Sequence, residues 1–371
     1  MPDPAFPPPS KKSMLLLSHL LLSPCLSRLS SSGMKNLLDS ELASIDRTAF
    51  DQLVALASSN HVLARGMEIF RSLMLGVQDR VRAGWAERAL EREHARIDNA
   101  LPFLSSICTA FEEEQQNISV IKSLDHWPDL GSDLDLYTNA SPAAVLDLMR
   151  RHFRAGIEHR SWGDRLANKW NFRIPGLPEA VEIHVGRLGQ TGEQLVLASS
   201  LLARARLLPI DGRPFRVPAV SDRIMISVLQ RMYRHFYFRL CDIVDSADLA
   251  DSGVIDNDDL QHCARRAGIW DGVATYLVIV SDYVKQHRGT ALGLPESVIQ
   301  AARFGGRQIY YARDFLRIPI LPQSARLYGS QLSDVLRRRE LESSVRLGLL
   351  PWLATAAAIG YKLTGSDKGI W

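Results

Sequence analysis

The stretch Ile121–Tyr137, IKSLDHWPDLGSDLDLY, decides how the chain is read, because acidic and apolar residues alternate after Pro128. Alternation of that kind is the pattern of a half-buried strand. With a side-chain period of two, Asp133 and Asp135 share one face while Leu134 and Leu136 point into the opposite layer. Two carboxylates on one face repel each other unless they are solvated, partnered or bridged by a cation. A hard divalent ion such as Mg²⁺ resolves the conflict with oxygen ligands; the solvent side of an edge strand is the plain structural alternative. Gly131 and Ser132 add a permissive backbone and a hydroxyl, and Lys122 and Ser123 end the preceding apolar run. In AVEIHVG, Glu182 and His184 again project from one strand face. A third carboxylate beside the aspartates would complete a metal site able to bind a triphosphate and polarise the phosphorus under attack.

Working outward, apolar residues recur at three and four positions from Met34 to about Glu114, which predicts a helical domain over 34–117. At Asn117 the period changes. NISVIKSL and SDLDLYT are strand candidates, Ser141 and Pro142 open a helix to about 153, and KWNFRI and AVEIHVG are strands joined by the loop PGLPE. Residues 118–215 therefore form a small α/β domain. The helical period returns over 216–330, with Asp222 as a candidate N-cap, and residues 331–371 are a helical or apolar tail. Residues 1–33 are an extension that superficially resembles an export signal, with Met34 as an alternative start or the extension loosely ordered. The expected fold class is α+β, a small mixed-sheet domain embedded between helical domains.

Composition excludes little. The chain has 371 residues with 44 basic and 41 acidic side chains, a balance that calls for no nucleic-acid partner. Cys25, Cys108, Cys241 and Cys263 lack the paired spacing of a zinc ribbon and are expected as buried thiols in a reducing, cytoplasmic setting. His19, His61, His94, His152 and His159 are scattered and are expected to be surface or structural histidines. No dinucleotide fingerprint or P-loop is present. The apolar run 347–361 is too short to cross a bilayer and is interrupted by Pro351, leaving an interfacial helix with weak membrane association as its most it could support.

With the aspartate pair and EIH in view, the chain resembles the DNA polymerase beta-like nucleotidyltransferase superfamily, and in particular its uncharacterised bacterial members with flanking helical regions. That superfamily has Gly, then Gly or Ser, then about nine to thirteen residues, then two acids one residue apart. Lys122-Ser123, the nine residues that follow and Asp133-Leu134-Asp135 match the spacing, closely over about 100 residues and loosely over about 200. The resemblance implies that Asp133, Asp135 and Glu182 bind Mg²⁺ or Mn²⁺ and are catalytic. It further implies that Lys122, Ser123, Gly131 and Ser132 hold the phosphates of ATP or another nucleoside triphosphate. His184 is implied as a supporting or acceptor-side group, and Arg239 and Asp242 as supporting residues, although charges three apart on a helix also suit a simple ion pair. The expected activity is transfer of a nucleoside monophosphate to an unidentified acceptor with release of pyrophosphate. Lys122 departs from the motif's glycine, which motivates the alternative of a catalytically inactive nucleotide-binding or scaffold protein.

Overall fold

The computed structural model describes residues 11–23, 40–312 and 314–364; Cys25 and Met34 lie outside them. The chain is α+β, as its patterning predicts. Helix α1 (Lys11–Leu22) is followed by α2 (Arg47–Ser59), α3 (Leu63–Gly76) and the long α4 (Arg80–Glu113). Strands β1 (Ile118–Val120) and β2 (Asp133–Thr138) precede α5 (Pro142–Phe153), β3 (Gly156–Ile157), α6 (Trp162–Leu166), β4 (Lys169–Arg173) and β5 (Ala180–Val185). Then come α7 (Leu195–Arg204), the hairpin β6 (Arg206–Ile210) and β7 (Arg213–Val217), and α8 (Val220–Val228). The remainder holds β8 (Tyr237–Phe238), α9 (Leu240–Asp251), α10 (Asn257–Arg266), α11 (Trp270–Arg288) and α12 (Glu296–Ala301). Two short strands, β9 (Tyr310–Ala312) and β10 (Phe315–Arg317), and helices α13 (Ala325–Arg337) and α14 (Leu341–Thr364) complete it.

The five-stranded sheet runs β1-β2-β5-β4-β3, with β2 and β5 parallel and every other pairing antiparallel. Its alternation sorts two layers. Leu134, Leu136, Val181 and Ile183 pack with α5 and the second half of α4, whereas Tyr137, on the face of Asp133 and Asp135, packs with the helical core. The acidic face of β2 therefore meets the seam between sheet and helices. Ser141 caps α5 by accepting a hydrogen bond from the Ala144 amide at 3.2 Å, as its position before Pro142 predicts.

Two sequence expectations change. The segment 1–33, taken as an extension, contributes α1 to the core: Met14, Leu17 and Leu20 are buried, and the Ser18 hydroxyl meets the Tyr283 hydroxyl at 2.7 Å. An apolar run next to a basic pair looks like a leader, but the same run buries well between helices. The flanking helical segments are also one body, since Phe50 and Phe70 share a core with Tyr276 and Val280. Helix α4 links that core to the sheet, burying Ala83, Ala86 and Leu90 in the first and Leu101, Leu104 and Phe111 in the second. Among the described residues, no helix is long and apolar enough to cross a membrane.

Candidate functional site

Register brings the acids together. In the parallel pair β2 and β5, Asp135 lies opposite Glu182 and Tyr137 opposite His184. Ligand atoms of Asp135, Glu182 and His184 lie within 4.8 Å of one another. Asp133 opens β2 on the same face and is exposed, lining the same cleft outside this compact group.

Positive charge already stands between the paired carboxylates. Lys122 adopts a left-handed backbone, φ +62°, and its Nζ contacts Asp135 Oδ1 and, at 3.2 Å, Glu182 Oε1. A non-glycine residue there stores strain on the order of 1 kcal/mol or more. Lys169 Nζ reaches Glu182 Oε2 at 2.9 Å and Asp164 Oδ1 at 2.8 Å. His184 Nε2 donates to Glu182 Oε1 at 2.8 Å, and its buried Nδ1 has no partner. Burial is the main force lowering the His184 pKa to about 4, helped by the nearby Lys122 and Lys169 charges, so the ring is neutral. Burial also pushes Asp135 up to about 8, with the Glu182 charge adding to it and Lys122 opposing. Against a similar burial, Lys122 and Lys169 hold Glu182 well below the usual carboxylate range.

The loop before β2 is fastened rather than open. Ser123 Oγ donates to the Asp133 carbonyl at 3.0 Å and accepts from the Asp135 amide at 2.7 Å. The hydroxyl that the resemblance assigns to phosphate thus aligns the aspartate strand instead. Gly131 and Ser132 line the cleft, and the Gly131 carbonyl accepts from Arg96 Nη1 at 3.2 Å. Deeper in the loop, Arg65 bridges Asp129 (2.7 Å) and Asp245 (2.6 Å), and Asp245 holds His126 Nδ1.

The opposing wall comes from a helix break. The period from Asp222 onward predicts one helix through Ala250, but α8 gives way to a π-helical turn over Leu229–His235. Phe236 then takes a left-handed φ of +56° before β8. Asp222 lies in the first turn of α8, which begins after Ala219, and pairs with Arg204 at 3.0 Å rather than capping. The break turns Arg231, Arg234, His235 and Arg239 toward the acids across a cleft of about 210 Å³. Among the described residues, Arg234 has no hydrogen-bond or ion-pair partner. The expected pair of Arg239 with Asp242 does not form. Asp242 pairs with Arg231 at 2.7 Å and accepts the Arg239 amide at 2.7 Å, while the Arg239 guanidinium donates to His61 Nδ1 at 3.3 Å.

Sequence reasoning missed His61, His126, Arg231 and Arg234 as cleft residues. The signal available was RMYRHFYFR, Arg231–Arg239, where basic and aromatic residues crowd a segment that otherwise continues a helix. A hard cation suits the Asp135 and Glu182 oxygens, and the two ammonium groups there mark a position built for positive charge. A cation bound there would compete with the proton that burial holds on Asp135, whose pKa is pushed up to about 8. Mn²⁺ affinity is therefore expected to weaken as pH falls, by about tenfold per unit, since proton and metal compete for one carboxylate. Titration followed by electron paramagnetic resonance at about pH 6 and about pH 8 checks this; equal affinities would mean that no proton competes with a metal at Asp135 in that range. No family model matches the chain, and no curated protein or solved structure matches it.

Proposed function

We propose that the cleft binds a nucleoside triphosphate with Mg²⁺ or Mn²⁺ and transfers its nucleoside monophosphate to an acceptor, releasing pyrophosphate. The observation that supports this most is Asp135 beside Glu182 on parallel neighbouring strands, facing an arginine wall across one cleft. Asp135 and Glu182 would hold the metal, with Asp133 alongside. The bound metal would supply charge neutralisation on the triphosphate and polarisation of the phosphorus. Arg234 and Arg239 line the same cleft and would meet phosphate oxygens, including the charge that grows on departing pyrophosphate. His184 and Lys169 orient Glu182, and Ser123 sets the register of β2. The acceptor oxygen would form the new bond to the α-phosphorus as the bond to pyrophosphate breaks, with the proton of a hydroxyl acceptor passing to a cleft carboxylate or to solvent.

The experiment is incubation of the full chain with each α-labelled nucleoside triphosphate, metal and cell extract, following label transfer and pyrophosphate together. Metal-dependent release of pyrophosphate with transfer of label is expected. Nucleotide binding without turnover across a broad acceptor set would favour the second reading, a nucleotide-responsive scaffold. That reading is favoured by Lys122, whose ammonium occupies the space between the carboxylates.

Lys122 separates the two in another way. If its ammonium yields to metal and turns to the phosphates, Lys122→Met should tighten Mn²⁺ binding without nucleotide by about tenfold. The same change should lower turnover on the order of 10²-fold, since one charged contact to phosphate is lost. Calorimetric metal titration with initial rates reads both. Unchanged metal affinity would mean that the ammonium does not compete for the site.

A further inference from the structure

We propose that His61, His126 and Cys241 form a second metal site, of the borderline-soft class typified by Zn²⁺, beside the cleft that holds the paired carboxylates. Ligand atoms from all three lie within 4.8 Å of one another. The donor set differs in kind from Asp135 and Glu182: two imidazoles and a thiolate select Zn²⁺-like ions, whereas carboxylates select Mg²⁺ or Mn²⁺.

One edge of the coordination figure is already present. His126 Nε2 stands 3.6 Å from Cys241 Sγ. Tetrahedral zinc, with bonds of about 2.3 Å to sulfur and about 2.0 Å to nitrogen, places those two atoms roughly 3.5 Å apart. His126 is also held as metal-binding histidines are. Its Nδ1 is bonded to Asp245, which leaves Nε2 facing the thiol, and Asp245 is itself fixed by Arg65. A carboxylate behind the imidazole orients the ring and strengthens it as a donor.

The scaffold under the other two ligands is equally fixed. His61 follows the end of α2 with a left-handed φ of +53°, and Cys241 lies in the first turn of α9. Between them, Asn60 joins the two ends: its carbonyl accepts the Cys241 amide at 3.2 Å and its side-chain oxygen the Leu240 amide at 2.9 Å. His61 Nδ1 accepts only a long bond from Arg239 Nη1, at 3.3 Å, which a metal would replace, releasing Arg239 toward the cleft. Of the neighbouring arginines, Arg65 lies between Asp129 and Asp245, Arg231 is paired with Asp242 and Arg96 with Glu93 and Glu179, which leaves Arg239 as the charge that must turn away as a cation enters. His61 and His126 line the cleft, whereas Cys241 is fully buried. The fourth position therefore opens to the cleft, to be filled by water or an anionic ligand. Binding releases to solvent the Cys241 thiol proton and the Nε2 proton of His126, a ring that its Cys241 and Asp245 neighbours hold toward the charged form against burial.

The test uses the reduced, metal-stripped full chain titrated with Co²⁺. Expected are a thiolate-to-cobalt charge-transfer band, visible bands of tetrahedral intensity, saturation at one equivalent, and loss of the bands when Zn²⁺ is added. Cys241→Ser should abolish the charge-transfer band with circular dichroism unchanged. Asp245→Asn should weaken Co²⁺ binding by about 10-fold or more, and the Asp135→Asn, Glu182→Gln double variant should keep the band. A folded wild-type protein without the band, or a band that survives Cys241→Ser, would overturn the site. Should Cys241→Ser fail to fold, X-ray absorption on the zinc-loaded wild-type chain decides. One sulfur with nitrogen neighbours supports the assignment, and a shell of oxygen alone refutes it. Neither result depends on whether the chain transfers nucleotides.

Discussion

Asp135→Asn and Glu182→Gln are each expected to lower nucleotidyl transfer on the order of 10³-fold, yet to differ sharply in stability. The rate loss follows from losing a metal-binding oxygen where several kcal/mol of transition-state charge must be compensated. The contrast in stability follows from their surroundings. With its pKa raised to about 8, Asp135 is mostly protonated at neutral pH, and asparagine mimics that state. A carboxyl that is raised on folding binds a proton more tightly in the folded chain, so its contribution to stability falls as pH rises from its unfolded value toward about 8. Asp135→Asn should therefore abolish that decline, which runs from about pH 4 to about pH 8, and leave the chain more stable than the wild type near neutrality. Glu182 is charged and serves Lys122, Lys169 and His184 at once. Its loss leaves two ammonium groups facing an amide, at a cost of roughly 3 kcal/mol or more. Urea unfolding at several pH values, beside initial rates, checks both. Full turnover by Asp135→Asn would sink the proposed chemistry.

Asp242→Ala is expected to destabilise the fold by about 3–5 kcal/mol, the range for removing one partner of a buried ion pair. Its side chain and that of Arg231 are only 2% and 4% exposed, and their contact is 2.7 Å. The same carboxylate accepts the Arg239 amide at the start of α9, so an end of that helix loses its cap as well. Pairing Asp242→Ala with Arg231→Met should recover most of the loss, because no buried charge is then stranded. Chemical denaturation across the double-mutant cycle measures this. A single-variant loss under about 1 kcal/mol would mean that water reaches Arg231.

The acidic half of the site was legible because a strand's period of two forces Asp133 with Asp135, and Glu182 with His184, onto common faces. Pairing of Asp135 with Glu182 was not legible, since register depends on which strands become neighbours. The basic half was hidden for a local reason. Residues 222–250 keep helical spacing through the point where the backbone widens into a π turn and reverses at Phe236, and nothing like proline marks the change. Arg239 and Asp242 have ion-pair spacing, but Arg231 reaches the carboxylate first from the other side of that break. His61 and His126 are 65 positions apart, and it is the docking of the loop before β2 onto the start of α3, through Asp129 to the Ala64 amide and Arg65, that unites them.

Helix α4 has a consequence for how this molecule can be taken apart. Because Leu90 and earlier residues pack into the helices while Leu101 and later ones cover the sheet, a cut at Asn117 severs the sheet from its own lid. A fragment spanning 118–215 would present Leu134, Leu136, Val181 and Ile183 to water and recruit other apolar chains. The smallest portable unit carrying the paired carboxylates therefore begins no later than the latter half of α4. Its opposite wall must be supplied by the helices beyond residue 220, so the cleft can be inherited, swapped or lost only as a whole.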